Sequence, residues 1–332
     1  MSKPASASAP ADPAWDGLCR ALTSYAADEA NDDRVAELLA KLMRGYNQPA
    51  RFKKYFPFWE QHGFHVTPVH FYQPIPDTRT LPKNLWEKPS ALAGIDMNEA
   101  AQLRLLRDAF PKFRKEYSRF PRTATDKAHE FYFENGLFGG TDALVLYCLV
   151  RHLQPRRIIE VGSGFSSRVS AQAALKNGKT ELVCIEPYPS ELLRAGFPGL
   201  ARLEQKKIQD VAPNYFDRLD AGDILFIDTS HVVSAGGDVN YLFFEILPRL
   251  KSGVIVHVHD IFLPHEYPQK WLQEEFRFWT EQYLLQAFLM FNTSWEVLFA
   301  NSFIGGKHPA EFKAVFPESP WWGGGSFWMR RK

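Results

Sequence analysis

Cysteine is scarce: three residues in 332, Cys19, Cys148 and Cys184, far apart and odd in number. That count and spacing exclude a disulfide framework and a thiolate zinc site, and fit a reducing compartment. No sign of charge dominates. Thirty-nine Lys and Arg against 38 Asp and Glu leave a formal net charge of +1, too little field to grip a nucleic-acid backbone or an anionic membrane. Long apolar runs are missing too: the longest, Ala143 to Val150, is less than half of the roughly 20 residues that cross a bilayer. The N-terminus, MSKPASASAPADP, lacks the apolar core of a secretory signal and reads as a disordered leader over residues 1–14. These absences predict a cytoplasmic protein with a small-molecule partner, engaging neither membrane nor nucleic acid.

What is present is an ordinary globular balance, 45% hydrophobic and 23% charged. Residues 15–125 read as a helical N-terminal region over the substrate side. Its aromatic stretch, Phe52, Tyr55, Phe56, Phe58, Trp59 and Phe64, is expected to pack a helical layer. From residue 126 to the C-terminus the pattern changes. A helix over residues 129–153, carrying ALVLYCLV before Gln154-Pro155, leads into β-branched runs that alternate with helical segments. Strands are predicted at 157–161, 181–186, 201–205, 223–228, 253–260, 295–300 and 326–330, with helices at 166–177, 238–250 and 271–291. The alternation predicts an α/β domain with a doubly wound, mainly parallel seven-stranded sheet. No internal repeat is visible.

The first strand runs into Gly162-Ser163-Gly164-Phe165-Ser166-Ser167 and a helix, placing small residues where backbone approaches a ligand at a helix N-terminus. A dinucleotide fingerprint wants a third glycine at position 167, where serine stands, so hydride transfer with NAD is disfavoured. Glu160 just before the loop suits a cationic amino group, which points to a cofactor with an amino-acid tail. Glu186 ends the second strand, where a carboxylate can accept both hydroxyls of a ribose.

Glu160, Gly162, Gly164, Ser166 and Glu186 on this strand pattern resemble the class I S-adenosylmethionine-dependent methyltransferases, over about residues 129–304. The resemblance implies the Rossmann-like methyltransferase fold and S-adenosylmethionine as cofactor, with Gln209 and Asp210 reaching the adenine. It also sets NGLFGGTD (135–142) where family members fold over the methionine end; its glycine pair is equally consistent with a turn.

A second constellation is Asp228-Thr229-Ser230-His231 after the fourth strand and His257-Val258-His259-Asp260 at the fifth. In a parallel sheet both lie at carboxyl ends, where ligands bind. Asp228 and Asp260 either converge on a hard cation or cap helices, and the cation is preferred. This pair is similar to the metal-dependent O-methyltransferases acting on macrolide sugars. That resemblance implies Asp228 and Asp260 as ligands of a divalent metal, Mg²⁺ or Mn²⁺, and His231 as general base. His259 stands where the family has Glu, as the third ligand, which opens the metal's identity to borderline ions. His257 is expected to be a packed strand residue. The implied reaction is methyl transfer to a hydroxyl of a sugar or other small metabolite, and related enzymes suggest a homo-oligomer. Two other classes compete: a cofactor-binding scaffold without turnover, which metal-stimulated methyl transfer would exclude, and an NAD-dependent oxidoreductase, which nicotinamide binding would reveal.

Overall fold

A computed structural model describes residues 12–46 and 48–332. Residues 1–11 of the expected leader lie outside the described residues, while Asp12 caps the first helix, Pro13–Ala26, by accepting from the backbone N–H groups of Ala14 and Trp15. The described residues form two compact units, one ending at Arg79 and the other Thr80–Lys332. The boundary therefore falls well before residue 126: residues 80–125 belong to the same unit as the sheet. The first unit continues with helices Asp32–Arg44 and Pro49–Gln61. Of the expected aromatics Tyr55 and Trp59 pack, each against the edge of Tyr46 with ring centroids 5.3 and 5.5 Å apart, whereas Phe58 and Phe64 are exposed.

The second unit is built on seven strands: β1 (Arg157–Val161), β2 (Glu181–Ile185), β3 (Leu200–Glu204), β4 (Ile224–Ile227), β5 (Ile255–Val258), β6 (Trp295–Ala300) and β7 (Phe327–Arg331). Their order is β3-β2-β1-β4-β5-β7-β6, with β7 antiparallel to both neighbours and the other pairs parallel. The predicted doubly wound sheet is thus present. Its central strands are apolar on both faces because helices cover both. The helices Gly140–Leu153 and Phe165–Asn177 pack one face and the segment 238–250 with the helix Glu281–Leu289 the other. His257 is a packed strand residue as expected, stacked on Phe226 at 3.9 Å.

Two predicted helices are not continuous. Residues 238–250 run as an α turn, a π segment Leu242–Ile246 and a 3₁₀ turn closed by Pro248, which cannot donate to a ladder. The segment 271–291 is two helices, Gln269–Gln273 and Glu281–Leu289, separated by an irregular stretch in which Phe276 is left-handed at φ +54°. The helix before β1 begins only at Gly140, leaving 129–139 as loop. Among the described residues no helix is long and apolar enough to cross a membrane.

Candidate active site

Strand order reverses between β1 and β4, and in open α/β sheets the crevice beyond the carboxyl ends at such a point is where ligands sit. Two cavities open there. One of about 490 Å³ is walled by Glu186, Tyr188, Gln209 and Ser230. The other, about 320 Å³, is walled by Phe138, Ser166, His259, Asp260, Arg277 and Trp279. Gly162, Glu186 and Asp228 border both, so the cavities meet along the loop that follows β1.

That loop is shaped by its glycines. Gly162 has φ +78°, and a Cβ there would come 1.6 Å from the carbonyl oxygen of Asp228, so no other residue fits between β1 and β4. A Cβ on Gly164 would meet nothing within 4 Å: the space over it is open cavity. The Glu186 carboxylate accepts the N–H of Ser163 at 3.2 Å through one oxygen and that of Tyr188 at 2.8 Å through the other. Each oxygen keeps a lone pair for a ligand hydroxyl. Gln209 reaches the larger cavity while donating to Gly236 at 3.0 Å. Asp210, expected beside it, is exposed and lines neither cavity.

Glu160 is placed differently from expectation. Its carboxylate is fully buried behind the loop, accepting from the Ser166 and Ser167 hydroxyls at 2.7 Å each. Burial pushes its pKa up to about 7, against the pull of those hydroxyls. It clamps the first turn of the helix Phe165–Asn177 and borders neither cavity. The stretch 135–142 does lie at the smaller cavity, with Gly136, Leu137 and Phe138 on its wall, and its glycine pair opens the helix Gly140–Leu153 rather than a turn.

Donor atoms of Asp228, His231 and Asp260 lie within 4.8 Å of one another. His231 Nε2 is 3.2 Å from Asp228 Oδ1 and 3.5 Å from Asp260 Oδ2. His231 and Asp260 are both left-handed, at φ +60° and +54°, a costly conformation for such side chains and one that clusters at functional sites. Burial disfavours a charged imidazole at His231, but hydrogen bonds and charges from Asp228 and Glu281 outweigh it and hold its pKa at about 10. Burial would raise Asp228, yet the neighbouring His259 and His231 keep its pKa below the usual carboxylate value. In the free protein a proton on His231 thus stands where two carboxylates favour positive charge. The oxygen and imidazole donors fit a divalent cation of the Mn²⁺ kind. His259, expected as third ligand, falls outside this group: its Nε2 is 3.6 Å from Asp260 Oδ1, its Nδ1 is buried without a partner, and the ring leans on Phe138. Burial works against charge at His259 too, and Asp260, Asp228 and Asp142 override it to raise the pKa.

Three residues that the sequence did not single out complete the site. Trp279 lies tilted against His231 with ring centroids 4.4 Å apart. Glu281 Oε2 lies 2.9 Å from His231 Nδ1. Arg277 borders the cavity with its guanidinium over Trp271 and Trp279. All are delivered by the break in the predicted helix 271–291. The usable signal was local: Thr280 followed by Glu281 starts a helix, and aromatics crowd the residues before it.

Residues 159–261 match the family described as "Methyltransferase domain". An uncharacterised protein of Archaeoglobus fulgidus is 33% identical over 190 residues, covering 54% of this chain and 80% of the archaeal one. The chain belongs to that protein's family and carries a methyltransferase domain. Among solved structures, the O-methyltransferase TomG from Streptomyces achromogenes, involved in tomaymycin synthesis and in complex with S-adenosylmethionine, is similar at 17% identity and TM-score 0.33 over 71% of this chain and 90% of that one. The plantazolicin methyltransferase BamL is similar at 13% identity and TM-score 0.36, over 57% and 82%. The fold of the methyltransferase domain stands on its strand order and register, not on these likenesses. The larger cavity is lined wholly from within residues 159–261, and the smaller one is completed by 136–138 on one side and Arg277 and Trp279 on the other.

Proposed function

We propose that this methyltransferase domain moves a methyl group from S-adenosylmethionine to a hydroxyl oxygen of a small acceptor, a sugar or other hydroxylated metabolite, with a divalent cation at Asp228, His231 and Asp260. The observation that carries the reading is the meeting of the two cavities at Asp228, a residue of the donor group that also borders the nucleoside-sized space beside Glu186. In this reading the adenosine lies along Glu186 and Gln209, with the ribose hydroxyls on the free lone pairs of Glu186. The methionine end crosses the open space over Gly164 into the smaller cavity.

A sulfonium methyl transfers by in-line attack and needs no acid, so the work lies in activating and aiming the hydroxyl. A bound cation would lower the hydroxyl's pKa. The chain's own residues orient the rest: Trp279 and Phe138, both on the wall of the smaller cavity, give the acceptor ring a face to lie against. As the new C–O bond forms the C–S bond breaks to leave S-adenosylhomocysteine, and the hydroxyl proton passes to His259, which lines the smaller cavity and is not one of the three donors of the cation group. His231 and His259 are the two imidazoles within the site, and His231 is engaged by three carboxylates.

The test is calorimetric titration with S-adenosylhomocysteine, with Mn²⁺ present and again after chelation. Micromolar binding, roughly −8 kcal/mol, is expected. Absence of binding in both conditions would remove the reading.

A further inference from the structure

Glu281 is fully buried, and only one of its oxygens has a partner: Oε2, at 2.9 Å from Nδ1 of His231. A buried carboxylate is expensive, so the position asks what it does. The backbone already ties the two residues together. The carbonyl of His231 accepts the N–H groups of Thr280 at 2.9 Å and Glu281 at 3.1 Å, and Thr280 Oγ1 accepts the N–H of Val233 at 2.7 Å. The loop after β4 and the helix Glu281–Leu289 are therefore fixed to each other without the Glu281 side chain. What the side chain adds is control of one ring nitrogen. Nδ1 is turned to Glu281, and Nε2 to the space between Asp228 and Asp260.

A histidine whose far nitrogen donates to a buried carboxylate is oriented, fixed in tautomer and made a stronger donor at the near nitrogen, as in the carboxylate–histidine pairs behind metal ligands. We infer that Glu281 is a positioning residue for cation binding: by accepting the Nδ1–H of His231 it aims the Nε2 lone pair between Asp228 and Asp260, making His231 the third protein ligand of a divalent cation. The inference rests on the proposed cation site and assigns His231 to ligation rather than to proton abstraction. The chain spends a left-handed residue at His231 and a buried acid at Glu281 to hold one imidazole edge in place, which a freely rotating base would not require.

The experiment titrates Mn²⁺ calorimetrically into the full chain and into Glu281→Gln, His231→Gln and the double variant, and measures S-adenosylhomocysteine affinity and Tm for each. Expected is a loss of Mn²⁺ affinity of about 10- to 100-fold in Glu281→Gln, with Tm and S-adenosylhomocysteine affinity unchanged because the backbone ties remain. The double variant should bind Mn²⁺ no more weakly than His231→Gln, since Glu281 acts through His231. Equal Mn²⁺ affinity in wild type and Glu281→Gln, or losses that add in the double variant, would overturn the role of Glu281 while leaving the cation site standing. Should Glu281→Gln not fold, His231→Gln decides: undiminished Mn²⁺ affinity there overturns ligation. A wild type that binds no Mn²⁺ overturns the cation site and this inference with it.

Discussion

The indole of Trp279 lies against the imidazole of His231 with ring centroids 4.4 Å apart and planes 40° to each other. Trp279 also stands edge-on to Trp271 at 5.0 Å and borders the smaller cavity, whereas the larger cavity does not touch it. On the proposed reading it would meet the acceptor and not the nucleoside. Trp279→Ala should therefore raise the acceptor KM by about tenfold or more, the loss of a buried aromatic face being worth over 1 kcal/mol. Affinity for S-adenosylhomocysteine should stay within about threefold, since the same constants apply to a contact not made. A variant that loses both equally would move Trp279 from acceptor binding to general support of the fold.

Gly162 and Gly164 make opposite predictions two residues apart. A methyl group at 162 overlaps the Asp228 carbonyl and sits at positive φ, so Gly162→Ala should cost several kcal/mol and lower Tm steeply. At 164 the φ of −167° suits any residue and the methyl meets no protein atom. Gly164→Ala should therefore fold with Tm within a few degrees of wild type and lose S-adenosylhomocysteine affinity by about tenfold, because the methyl fills space meant for ligand. Unchanged affinity would show that the cofactor does not cross Gly164.

Much of this site was legible because its framework is local. RIIEV, ELVCI, ILFI and IVHV are short apolar runs rich in β-branched residues; the first three are followed at once by Gly162, Glu186 and Asp228, and the fourth by His259 and Asp260. Asp228 and Asp260 were readable for the same reason. The helix break at 274–280 was not, because it is held by tertiary contacts: Trp271 against Trp279, and the His231 carbonyl on the N–H groups of Thr280 and Glu281. The pairing of Glu281 with His231 spans 50 residues and leaves no periodic trace. Glu160 shows the converse case. The sequence offered it to a ligand's amino group, and only the burial of its carboxylate beneath Ser166 and Ser167 reveals that it serves the helix.

Glu186 faces a sharper test than its neighbours because both of its oxygens are already used. Glu186→Gln keeps one acceptor oxygen and replaces the other by a donor that faces the Ser163 or Tyr188 N–H. Charge-assisted hydrogen bonds of this kind are worth about 1.5–3 kcal/mol, so S-adenosylhomocysteine affinity should fall by about 10- to 100-fold. Retained affinity would end the assignment of the ribose to Glu186.

Glu160 contributes one separable part of the pH dependence of stability. Its pKa in the folded chain is about 7 against an ordinary value of 4.5, with burial as the main cause. Between those values the folded state binds more protons than the unfolded one, so the unfolding free energy decreases as pH rises. The contribution is complete below the ordinary value, is lost as pH rises through about 7, and is level above it. A difference of that size is at most about 3 kcal/mol. Glu160→Gln keeps an oxygen for the Ser166 and Ser167 hydroxyls and removes the titration. Urea unfolding between pH 5 and 8 should then show the variant gaining on the wild type as pH rises, with most of the gain complete shortly above pH 7. Parallel curves would mean that the carboxylate is ionised throughout and that burial beneath the loop does not govern it.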